Sequence, residues 1–174
     1  MSDQPVYFVK IMEDIVSSMT ITGINYQPGS SNQIVKSLND LDESITSKGK
    51  KYPLIAMVLP VTEKRGNVGA KAGYCTVVIP RIVIATISNY PNDDVLLRYD
   101  PTTGVFPTIL YPIYSDFLDS ICRSLSIINE EPDGIEHSKL DYPNVRRLSS
   151  ETNDYVDYIE LRNMELIINQ FKTC

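Results

Sequence analysis

No tryptophan occurs in the chain, histidine occurs once, at His137, and the three cysteines, Cys75, Cys122 and Cys174, stand far apart with no CxxC among them. A single histidine excludes any site that needs two, and removes the commonest general acid or base from most of the chain. Zinc held by cysteine and histidine would require all three cysteines to converge on His137 from remote positions. Scattered cysteines build no disulfide framework either, so all three read as reduced thiols. Long apolar runs are missing too. The two longest, 54–61 and 77–87, fall far short of the roughly 20 residues of a membrane helix, and no membrane is expected among the partners. Met1-Ser2-Asp3-Gln4-Pro5 carries acid where a secretion signal carries base, so secretion is not expected.

Basic charge is in deficit. Sixteen Lys and Arg against 22 Asp and Glu leave a formal charge of −6 and a pI near 4.8, the wrong sign for whole-molecule attraction to a phosphate backbone. Any contact with nucleic acid must be local. What the chain does have is a core: 174 residues, 43% of them hydrophobic and 22% charged, suit one domain over 1–174.

Phe8, Met12, Ile15 and Met19 recur at nearly fourfold spacing behind Pro5, which predicts a helix over 4–19. A second helix is expected over 111–126, where Ile113, Phe117, Ile121 and Leu125 repeat at four after Pro112. Between them, 53–60 and 76–88 are rich in β-branched residues and read as central strands. The second run is apolar on both faces, so each face should be covered. Pro80 cannot donate to a ladder and belongs at an edge or a bulge, which leaves room for one side of this strand to be kept for another chain. Residues 89–108 carry several turn formers and read as an irregular connection. The segments at about 27–51 and 129–157 are polar, the second of them acidic, and read as extended loops or arms, although Ile34, Leu38, Leu41 and Ile45 allow a short helix in the first and a little strand is expected in the second. The ending 158–171 suits a helix or a strand bulged near Asn163, and the strand is preferred. Together these predict an α+β fold: one mixed or antiparallel sheet with the two helices packed on it, and a long hairpin loop at 62–74.

That loop holds Gly66, Gly69 and Gly73 with Lys64, Arg65 and Lys71, but neither GxxxxGK[ST] nor GxGxxG. It reads as a flexible hairpin tip or as a short positive finger that touches a phosphate backbone or an acidic partner. No GxSxG elbow is present, His137 sits in a polar stretch, and Glu130/Glu131 and Asp93/Asp94 are adjacent pairs whose side chains diverge. No catalytic, cofactor-binding or metal-binding residue is assigned, and an enzyme is not expected. The 11 tyrosines stand out, several of them next to proline. Tyr90, Tyr111 and Tyr142 are candidate interface residues, since tyrosine offers rigid area with a polar tip, although tyrosine also closes the ends of sheets.

The order helix, strands with a long hairpin loop, helix and closing strands resembles the tail-terminator or tail-completion proteins of tailed bacteriophages. Two runs, Lys51-Tyr52-Pro53-Leu54-Ile55-Ala56 and Ile109-Leu110-Tyr111-Pro112-Ile113-Tyr114-Ser115-Asp116-Phe117-Leu118, look like segments of phage neck proteins. The resemblance implies a virion protein, made in the host cytoplasm, whose copies form a ring at the head-to-tail interface. Its neighbours would be portal or connector and tail proteins, and DNA would pass through the lumen without sequence-specific binding. The long 27–51 and 129–157 segments depart from the smaller members of that family. The alternative is a host-cell α+β protein-binding adaptor that forms no ring.

Overall fold

In the structure, a computed structural model that describes residues 4–43, 51–65, 74–88, 95–128, 135–146 and 155–169, helix α1 (Gln4–Ser17) buries Phe8, Ile11, Met12, Ile15 and Val16. Spacings of three and four put these side chains on one face. Ser18 ends the helix by donating its hydroxyl to the Ile15 carbonyl at 2.7 Å.

Strand β1 (Asn25–Gly29) and helix α2 (Ser31–Glu43) follow, which corrects the extended arm expected at 27–51. The cause is local and then tertiary. Ser30 and Gln33 form a capping box: the Ser30 N–H donates to Gln33 Oε1 at 2.9 Å, and the Gln33 N–H donates to Ser30 Oγ at 3.4 Å. Ile34 and Leu38 then dock on Leu54, Ala56, Val83, Ala85, Val156 and Tyr158. Residues 44–50 lie outside the described residues.

The remaining strands are β2 (Leu54–Val58), β3 (Thr62–Arg65), β4 (Tyr74–Ile87), β5 (Ser138–Arg146) and β6 (Tyr155–Asn169). Their order is β1-β2-β4-β6-β5, with β3 also on β4, and only the β1–β2 pair is parallel. The fold is therefore α+β around a mixed six-stranded sheet. The expected strand at the chain's end is β6, and β5 runs through the segment expected as an arm at 129–157; residues 129–134 and 147–154 lie outside the described residues. Residues 62–65, expected as loop, are strand.

Helix α4 (Tyr111–Arg123) begins at the expected residue and ends three early. The expected irregular stretch before it is ordered differently. Helix α3 (Val95–Arg98) is followed by a turn in which Asp100 Oδ1 accepts the backbone N–H and hydroxyl of Thr102 and Thr103 at 2.7–2.9 Å. A π-helical turn, Phe106–Leu110, then runs straight into α4. Helices α1 and α4 bury one face of the sheet, with Phe8, Met12, Phe106, Phe117 and Ile121 against Ile55, Met57, Val77, Ile84, Ile159 and Leu161. Helix α2 covers part of the other, so three long helices pack on the sheet rather than the two expected.

Strand β4 is paired on both sides, which corrects the expectation that Pro80 leaves one side open. Strand β2 pairs with Arg81–Ala85 and β3 with Cys75–Val78, so Pro80 falls in the gap between them. On the other side it stands opposite Asn163, at φ 53°, between the pairs Ile79↔Met164 and Arg81↔Arg162. The core-facing residues change parity there in both strands, from Cys75, Val77 and Ile79 to Ile82 and Ile84, and from Ile159 and Leu161 to Met164, Leu166 and Ile168. Proline thus sits mid-strand where no ladder bond is asked of it.

Candidate interaction surface

Lys64 lies on β3, exposed, and its Nζ is 3.2 Å from Glu165 Oε1 on β6. Arg65 ends β3, its backbone opposite Cys75. Lys71 and Tyr90 lie outside the described residues. Two more bases share the face of Lys64. Arg81 Nε and Arg162 Nε reach Glu160 Oε1 at 3.1 and 2.7 Å, and Glu160 itself is buried. Lys64, Arg81 and Arg162 therefore each hold a carboxylate of the same chain.

The hydroxyls of Tyr111 and Tyr142 also have partners within the chain. The Tyr111 hydroxyl donates to Asp141 Oδ2 at 2.7 Å, and Lys139 Nζ stands 4.3 Å from the ring centre. Burial, then the hydrogen bond to Asp141, pushes the Tyr111 phenol pKa well above its usual range. Tyr142 stacks on Tyr158 with centroids 4.7 Å apart, and its hydroxyl accepts a bond from Arg162 Nη2 at 3.3 Å. His137 is half-buried. Its Nδ1 is 2.8 Å from the Ile135 carbonyl, which can only accept, so Nδ1 carries a proton, and Nε2 lies 2.9 Å from Tyr114 Oη. Alternation along β5 puts His137, Lys139 and Asp141 on one face, where they form a polar joint with Tyr111 and Tyr114 of α4.

Two buried acids fasten other elements. Asp116 of α4 accepts the Ile21 N–H at 2.8 Å and lies 3.4 Å from Arg123. Burial raises its pKa, but hydrogen bonds from Ile21 and Thr20 outweigh that and hold the carboxyl below its ordinary value. Arg98 and Asp157 are both 0% exposed in their side chains, with Arg98 Nη1 2.7 and 2.6 Å from the two Asp157 oxygens. Nη1 also donates to Ser88 Oγ at 2.6 Å. This pair pins α3 to β6.

Helix α3 carries exposed apolar side chains beside that pair: Leu96 is 83% exposed, with Val95 and Leu97 about half so, and Tyr155 at the start of β6 is exposed as well. A second exposed apolar group, Leu125 (77%), Ile128 and Ile167, lies toward the other end of β6, where the Ile128 N–H donates to the Ile167 carbonyl at 2.8 Å. Sequence reasoning missed both groups. The run Val95-Leu96-Leu97 was the available signal, but a stretch of turn formers concealed it. The apolar slot between α2 and the sheet, lined by Ile34, Leu38, Leu54 and Val83, holds about 40 Å³, little more than one water's share of liquid volume. Among the described residues no group of three His, Cys, Asp or Glu is placed to hold a metal ion, and no helix is long and apolar enough to cross a membrane.

These features define an α+β protein whose most exposed apolar side chains stand at the two ends of its longest strand. No family model, curated protein or solved structure matches the chain.

Proposed function

We propose that the chain is a structural virion protein, one subunit of a homo-oligomeric ring at the head-to-tail interface of a tailed bacteriophage, acting as tail terminator or connector ring. The observation that carries this reading is the order and layering of the elements. Helix α1, a sheet in which β3 and β4 pair antiparallel, helix α4 and two closing strands occur in the sequence order that the resemblance implies, with α1 and α4 on one face. Ring subunits join by heterologous contacts, each offering one surface to a different surface of its neighbour, and two separated exposed apolar groups suit that need. An acidic body in which Lys64, Arg81 and Arg162 on one sheet face each hold a carboxylate of the same chain suits a lumen that DNA crosses without sticking.

The work is mechanical on this reading: the ring joins portal or connector to tail, and no substrate is turned over. Mass spectrometry of purified particles from the phage that encodes the chain is the test. Several copies per particle are expected. Absence from the particle, together with capture of a soluble host protein by the monomer, would instead establish the adaptor alternative.

A further inference from the structure

We infer that the joint between neighbouring copies is made by the α3 patch of one copy, centred on Leu96 and Leu97, against the Leu125–Ile128–Ile167 patch of the next. This rests on the ring reading and assigns its contact. Both patches are anchored on β6, the first through the buried Arg98–Asp157 pair and the second through the Ile128–Ile167 backbone bond. Ten residues separate Asp157 from Ile167, so a strand fixes the two half-contacts about 33 Å apart. A buried ion pair adds little net stability over an apolar replacement but holds its elements in one arrangement. Here what it holds in place is four residues of helix with three exposed apolar side chains.

The choice of a second copy as occupant follows from area and number. Each patch offers on the order of a few hundred Å² of apolar surface, suited to the apolar core of an interface that buries roughly 800 Å² per partner behind a polar rim. Covering both patches by self-contact would take two different two-fold joints, since either one alone leaves the other patch in water. A single contact of one patch with the other, repeated, covers both, and β6 then sets the repeat distance of the assembly.

The test uses the full chain and two exposed-site variants, Leu96→Asp and Leu125→Asp, checked for native circular dichroism and followed by analytical ultracentrifugation. Wild type is expected to associate beyond a dimer at concentrations up to about 100 μM. Each variant alone should be monomeric, and an equimolar mixture should form one-to-one dimers and nothing larger, since each variant keeps the patch the other has lost. Three results would overturn the pairing: wild type monomeric throughout that range, Leu125→Asp still dimerising with itself, or assembly untouched by both changes. Copies found in the particle despite such a result would leave the ring standing and put its joint elsewhere. The expected mixing result from a chain absent from particles would keep the joint and remove the phage.

Discussion

Arg98 and Asp157 are 59 residues apart in sequence and meet with both side chains fully withdrawn from water. Removing one partner strands the other charge, so Asp157→Asn is expected to cost about 3–5 kcal/mol in urea unfolding, while Arg98→Met with Asp157→Leu should recover most of that. Asp116 gives a pH signature. Its folded pKa lies below the ordinary 3.8, so its contribution is fully present above that value and is lost as pH falls through the folded pKa. Asp116→Asn should therefore be less stable than wild type at neutral pH, and the gap in urea midpoint should close below about pH 4. Neither role was legible in the sequence. Asp116 was visible only as one residue of the run expected to form the second helix, and its partners Thr20 and Ile21 lie just past the end of α1. Asp157 looked like one more charge in an acidic stretch.

Helix α2 shows how elements were partly legible. Ile34, Leu38 and Leu41 carried a helical period, and Ser30 with Gln33 carried a cap, yet Ser, Asn, Asp and Lys dominate the segment and pointed to an arm. Docking on the sheet decided the outcome, with Leu38 fully buried. Leu38→Ala is expected to cost about 2–5 kcal/mol by thermal or urea unfolding; a negligible loss would mean that α2 is detached in solution. The closing strand was legible down to its irregularity near Asn163. Its left-handed φ of 53° predicts that Asn163→Gly is close to neutral, whereas Asn163→Val costs roughly 1–2 kcal/mol, measured the same way. Pro80 misled because proline restricts only its own N–H. The sheet meets that restriction with a gap between β2 and β3 rather than with an open edge.

Over the whole molecule, charge lies mainly outside the core, with Lys51, Arg98, Asp116, Asp157 and Glu160 the buried exceptions among the described residues. Lys64 and Glu165 are 61% and 41% exposed in their side chains, and such a pair is worth about 0–1 kcal/mol. Replacing Lys64, Arg65 and Lys71 with Ser should leave the unfolding midpoint nearly unchanged and make the chain more acidic. A large loss of stability would show that the hairpin is a packed element.

Class, helix 1, the start of α4 and the strand nature of the central and closing runs were determined by the sequence alone, because local periodicity and β-branched content act over a few residues. Three things were decided only by the tertiary structure: the docking of α2, the seating of Pro80 opposite Asn163, and the mounting of exposed leucines on a buried ion pair. Each depends on which distant backbone or side chain arrives opposite, and burial and hydrogen-bond satisfaction are set by that arrival rather than by neighbours in the chain.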